Sequence, residues 1–166
     1  LEYFLRRVLP VAEKAGVKLS MHPDDPPITP IKGVSRIMRT VPNYQRLVEM
    51  IPSDYNTITL CQGNFTLMTD DLPKVIRGFG KKISFVHFRD VEGVPTNFHE
   101  TWHDAGKTNM LETMKAYRDI GFDGVLRPDH VPTVEGDSNE NAGYSAFGRL
   151  YAIGYIRGLH EAVYAK

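Results

Sequence analysis

The sequence predicts an α/β fold in which parallel β/α units make up about half of a TIM (β/α)8 barrel. Three observations lead there. Four short segments rich in β-branched or apolar residues alternate with segments of helical periodicity. A complete barrel takes ~250 residues, so four units in a chain of 166 residues amount to about half of one. Neither GxGxxG nor GxxxxGK[ST] follows any of the four segments, which argues against the competing doubly wound open sheet.

The elements follow in chain order. Leu1, Phe4, Leu5, Val8, Leu9 and Ala12 recur at helical spacing, Gly16 stands where that helix should end, and Pro10 should kink it or mark its boundary. Buried strands are predicted over residues 17–22, 57–63, 83–90 and 124–130. Helices are predicted over 44–51, 71–79, 110–120 and 145–164. Loops containing Pro or Gly come after each strand, at 22–27, 62–64, 91–95 and 131–133, and in a β/α barrel those loops carry the chemistry. Residues 1–166 read as a single domain without internal repeats.

Composition narrows the function. The 20 basic residues cancel the 20 acidic ones, so no basic field exists to gather nucleic acid. No apolar run approaches the ~20 residues that cross a bilayer, so no membrane partner is expected. The single cysteine, Cys61, excludes an intramolecular disulfide framework and fits a reducing compartment, here the cytoplasm. The chain opens Leu1-Glu2-Tyr3 inside an amphipathic pattern and without Met, so it reads as a piece of something longer. Half a barrel leaves two strand edges unpaired and an inner face uncovered. The expectation is therefore a homo-oligomer or association with the missing N-terminal half.

His22, Cys61, His87 and Asp129 each lie at or beside the C-terminal end of a different predicted strand, and in a barrel those ends converge. Two imidazoles, a thiolate and a carboxylate suit a divalent ion such as manganese, iron, cobalt or zinc. His130 follows Asp129 and so must leave the strand in another direction or sit just past its end, within reach of substrate rather than metal. Tyr144 precedes the last helix, where its phenol reaches the same mouth, and His and Tyr beside a cation are credible acid–base groups. Arg89 and Arg127 are candidate grips for a substrate carboxylate, with local ion pairs as the alternative. His99, Glu100, His103 and Asp104 form a polar cluster whose letters, HETWH, satisfy the HExxH pattern. Pro95, Asn97 and Gly106 around it indicate a loop rather than the helix a zinc protease needs, so the cluster reads as a lid, with His103 contacting substrate.

Four segments carry a resemblance: His22-Pro23-Asp24-Asp25-Pro26-Pro27, Cys61-Gln62-Gly63, His87-Phe88-Arg89-Asp90 and Arg127-Pro128-Asp129-His130-Val131-Pro132. They resemble signature segments of bacterial mannonate dehydratases, the type related to xylose-isomerase-like barrels. The resemblance runs over essentially the whole chain and implies the C-terminal portion of that family. It implies a hydro-lyase that dehydrates D-mannonate, a sugar acid, to 2-keto-3-deoxy-D-gluconate in hexuronate breakdown, using Mn2+ or another divalent ion. It also implies His22, Cys61, His87 and Asp129 as metal ligands and His130 and Tyr144 as catalytic acid–base residues, the residues already reached from the strand ends. The alternatives are another metal-dependent sugar isomerase or epimerase of the same barrel group, and a non-catalytic metal-binding half-barrel. An isolated half is expected to be inactive for want of substrate contacts.

Overall fold

A computed structural model describes residues 1–138 and 140–165. Helix α1, Glu2–Ala15, buries Leu5, Leu9 and Ala12 and ends at Gly16, whose φ of 68° lies in the left-handed region that glycine enters without strain. It runs through Pro10 without a boundary, because buried residues on both sides of the proline hold the helix to the core. Strand β1, Leu19–Met21, is shorter than predicted. Helix α2, Val41–Met50, starts at Thr40, whose hydroxyl accepts the Asn43 amide.

Strand β2, Asn56–Cys61, is buried along its length and passes directly into helix α3, Gln62–Met68. The expected loop at residues 62–64 is therefore the first turn of a helix. Helix α4, Leu72–Phe79, is capped by Asp71 and leads into β3, Ile83–Phe88. Residues 91–95, also expected as a loop, begin an antiparallel hairpin of β4, Val91–Val94, and β5, Asn97–Glu100. Helix α5, Met110–Asp119, is capped by Asn109. Strand β6, Val125–Pro128, and helix α6, Ala146–Tyr164, capped by Ser145, complete the described elements.

The main sheet has the order β1-β2-β3-β6, parallel throughout. Side chains alternate across it. Ile58, Leu60, Val86 and Phe88 join Tyr44, Leu47, Phe65, Ile76, Phe79, Met114 and Tyr117 in the core between sheet and helices. The opposite face is mostly polar, though Phe85 and Val125 pair on it. Thr57 and Ser84 share a 2.7 Å hydrogen bond, and Ser20 accepts from Thr59 at 2.8 Å and from Ser84 at 2.9 Å. The edges are less covered than the centre: Val125 on β6 is 56% exposed. Among the described residues, no helix is long and apolar enough to cross a membrane.

Strand register positions the site. Cys61 pairs with His87, and His87 with Arg127, so three neighbouring strands present these side chains at one level of the polar face. Asp129 lies two residues beyond Arg127, and its amide donates to the Phe88 carbonyl.

Candidate metal centre

Ligand atoms of His22, Cys61 and His87 all lie within 4.8 Å of one another. Two donors bound to one ion at about 2.0–2.3 Å lie at most about 4.6 Å apart, so an ion fits after shifts of a few tenths of an ångström. The His22 ring stands with Nδ1 2.7 Å from the Pro23 carbonyl, which makes that nitrogen the donor and leaves the Nε2 lone pair facing His87 Nδ1 at 3.2 Å. A backbone carbonyl that fixes the tautomer in this way is the usual support of a ligating imidazole. Asp129 stands beside the trio. Its Oδ2 is 3.7 Å from His87 Nδ1 and accepts from the Cys61 thiol at the same distance.

Burial sets the protonation of these groups. It pushes the Cys61 thiol up to about 12, against a downward pull from Arg89. It lowers His22, and it lowers His87 to about 4 with Arg127 adding to the shift. Burial would raise Asp129, but His130, Arg89, His87 and Arg127 together hold it below the usual carboxylate range. At neutral pH both imidazoles are thus free bases, the carboxylate is ionised, and the thiol alone must lose a proton to ligate. Loading with a divalent ion at pH 7 should therefore release about one proton, and affinity should rise about tenfold per pH unit through the neutral range. Below about pH 4 the rise should steepen, as protonated His87 also competes. Calorimetry in buffers of different ionisation enthalpy counts the protons; release of none would rule out thiolate ligation.

Arg89, expected to grip substrate, has no exposed surface and is committed elsewhere. Its Nη2 donates to Asp25 Oδ2 at 2.7 Å and Asn64 Oδ1 at 3.0 Å, its Nη1 to Glu100 Oε1 at 2.5 Å, and its Nε lies 3.4 Å from Asp129 Oδ2. It acts as an internal counter-ion joining the loop after β1, helix α3, the hairpin and the segment after β6. Gly63 makes room for it, since a Cβ there would stand 2.5 Å from Arg89 Nε. Arg89→Met should cost about 3–5 kcal/mol of stability, because it leaves the buried carboxylate of Asp129 and the half-buried ones of Asp25 and Glu100 without their cation. A urea midpoint equal to wild type would contradict this role.

His103, also expected at substrate, has no exposed surface, and its ring nitrogen Nε2 is 2.7 Å from the Phe88 carbonyl. It fastens the segment after the hairpin to β3. The HETWH letters span the end of β5 and a turn, so His99 and His103 do not share a helix face. Arg127 remains partly exposed beside the trio, with Nη2 3.1 Å from His87 Nε2 and 3.3 Å from Asp129 Oδ1. His130 Nε2 and the Tyr144 hydroxyl are 2.9 Å apart, and the guanidinium of Arg149 lies over the Tyr144 ring, 4.8 Å from its centroid. Asp25 and Asn64, which the residue pattern did not single out, hold Arg89. Asp25 does lie in the proline-rich run after His22, next to a predicted ligand.

The chain matches the family described as D-mannonate dehydratase (UxuA) over residues 1–166. A mannonate dehydratase of Enterococcus faecalis is 42% identical over 170 residues, covering 100% of this chain and 47% of that protein. The crystal structure of mannonate dehydratase from Streptococcus suis serotype 2 superposes with a TM-score of 0.91 at 35% identity, over 98% of this chain and 48% of that one. A D-tagatose 3-epimerase-like protein shares the fold at 17% identity, with a TM-score of 0.71 over 98% of this chain and 54% of its own. The chain spans about half the length of the curated relatives it matches. On these grounds it belongs to the D-mannonate dehydratase (UxuA) family.

Proposed function

We propose that this chain supplies the metal centre and the acid–base pair of a mannonate dehydratase, converting D-mannonate to 2-keto-3-deoxy-D-gluconate in hexuronate breakdown. The observation that carries this reading is the placement, in a member of this family, of the His22–Cys61–His87 cluster within one side chain, Asp129, of the His130–Tyr144 pair. His22, Cys61, His87 and Asp129 would hold the ion; two nitrogens, one sulfur and one oxygen accept Fe2+, Co2+ or Zn2+ as well as Mn2+, and it is the family resemblance that favours Mn2+. When bound, the ion supplies Lewis-acid polarisation of the substrate carboxylate and the adjoining hydroxyl.

The chain's own groups perform the proton transfers. One member of the His130–Tyr144 pair takes the C2 proton, and the C–H electron pair becomes the C2=C3 bond as the C3–O bond breaks. The other protonates the departing C3 hydroxyl, which leaves as water. The resulting enol becomes the 2-keto acid by moving its hydroxyl proton to C3. Nε2 and the phenol share a hydrogen bond, so the proton gained at one end can be replaced at the other. Arg127 binds the substrate carboxylate. With His87 holding the ion through Nδ1, its ring proton would sit on Nε2, which would then no longer accept from Arg127.

The test is the whole protein with D-mannonate and Mn2+, assayed for 2-keto acid. An epimerised acid with no 2-keto product would replace the dehydratase reading by a sugar epimerase, and metal binding without turnover would favour a non-catalytic centre. The buried lone thiol suits a reducing cytoplasm.

Relatives about twice as long, together with the open edges of β1 and β6, support the reading of this chain as the C-terminal half of a (β/α)8 barrel. Such a half associates with its other half or with a second copy. Analytical ultracentrifugation of the isolated chain should accordingly show dimers or larger species. A well-folded monomer with full activity would overturn the half-barrel.

A further inference from the structure

The hairpin β4–β5 is an antiparallel insertion in an otherwise parallel architecture, and the proposed reaction gives it no task. Its register pairs Val91 with Glu100, which sets Glu100 at the end of β5 opposite the residue that follows Arg89-Asp90. The pairing is pinned just beyond, where the Thr101 amide donates to the Asp90 carbonyl and Asp90 Oδ1 accepts the Val91 and Thr108 amides. Glu100 is thereby delivered to the far side of the His130 ring. Its Oε1 lies 2.9 Å from His130 Nδ1, while His130 Nε2 faces the Tyr144 hydroxyl at the same distance.

We infer that Glu100 is a positioning residue that accepts the Nδ1 proton of His130 and so holds the tautomer whose Nε2 lone pair faces Tyr144. The inference rests on His130 and Tyr144 being the acid–base pair proposed above. Arg89 competes for the same nitrogen, because its Nη1 lies 2.5 Å from His130 Nδ1 and can only donate. If Arg89 supplied that hydrogen bond, the ring proton would move to Nε2 and point at Tyr144, leaving no lone pair to take a proton. Glu100 opposes this in two ways. Its carboxylate is the stronger partner for an N–H, and Oε1 also takes one of the two Nη1 protons of Arg89 at 2.5 Å, which turns that proton away from Nδ1. The glutamate of the HETWH segment thus serves as an orienter of a distant histidine, as a carboxylate does in a nucleophile–His–Asp triad.

Two readouts test the assignment independently. In the whole protein with 15N-labelled histidine and diamagnetic Zn2+, long-range 1H–15N spectra read the His130 tautomer without turnover. Nδ1 should carry the proton in the wild type, and a ring protonated on Nε2 alone would overturn the proposal whether or not mannonate is dehydrated. Glu100→Ala should shift the ring towards Nε2–H and lower kcat by about 10²–10⁴-fold, with KM within about threefold and metal stoichiometry unchanged. Glu100→Gln keeps an acceptor at Oε1 and the shape of the side chain, so it should retain Nδ1–H and restore kcat to within about tenfold of wild type. Should the alanine variant fail to fold, the wild-type spectrum and the glutamine variant decide. A glutamine variant with the wild-type tautomer and near wild-type kcat supports the proposal, and one that loses either overturns it. Failure of the dehydratase reading alone would appear as absent turnover with the Nδ1–H tautomer intact.

Discussion

Cys61→Ala should weaken divalent-ion binding to the whole protein by about a hundredfold or more while leaving the fold intact. A structural site assembled from four donors gains about 10–16 kcal/mol, so one donor accounts for about 3 kcal/mol, or roughly two decades in affinity. Cys61 ends β2 with its side chain fully buried between His87 on β3 and the start of α3. With no exposed surface at Cys61, water takes the place of its sulfur only after movement of the neighbours. The cost to folding is smaller, since removing one sulfur from a polar cluster leaves a void of about one methyl group, about 1 kcal/mol. Competition against a chromophoric chelator measures the affinity, and thermal melts of the metal-free protein measure the fold. Affinity within threefold of wild type would remove Cys61 from the centre.

Tyr144→Phe and His130→Asn should each lower turnover by about 10²–10⁴-fold at unchanged metal content. The tyrosine change is the cleaner of the two, because Tyr144 is 42% exposed and its ring contact with Arg149 survives the loss of the hydroxyl. Only the hydrogen bond to His130 Nε2 is deleted. His130→Asn also disturbs the contacts of Nδ1 with Glu100 and Arg89, so its effect combines chemistry with positioning. The double variant should be little worse than the poorer single one if the two groups act as a unit. Full turnover in Tyr144→Phe would limit the proton chemistry to His130.

The parts of this structure legible in the sequence are those set by local periodicity. Runs rich in β-branched and apolar residues over β2 and β3 put Cys61 and His87 at or beside strand ends, and the helical spacing of α2, α4, α5 and α6 marked the units between them. Capping residues Asp71 and Ser145 fell at the predicted starts. Helix α3 was not legible, because Gln62-Gly63-Asn64 has the composition of a turn and becomes helical only by being buried from Gln62 to Leu67. The hairpin was hidden by Gly93 and Pro95, which read as a loop, although Gly93 lies within β4, paired with Phe98, and Pro95 in the turn between the two short strands. The fate of Arg89 was illegible for a different reason. Its partners Asp25, Asn64 and Glu100 come from separate segments, and nothing at short range says that a guanidinium is surrounded rather than free.

The order of strands in the sheet is also the order of strands in the chain, and each carries, at its end or just beyond it, one of the four residues proposed as ligands. Each strand of this sheet pairs with the sheet strand before it in the chain, and because closure entropy grows only slowly with loop length, the sheet can grow by a series of similar entropic steps. The last pairing, of β6 with β3, brings in Asp129. An ion held by His22, Cys61, His87 and Asp129 would then act as a cross-link spanning all four strands, favouring the finished sheet over any partly assembled one. At a free concentration a hundred times its dissociation constant it would add about 2.7 kcal/mol against unfolding. Chelators should accordingly accelerate hydrogen exchange first at the two strands with a free edge, β1 and β6, whose attachment has least support from neighbours.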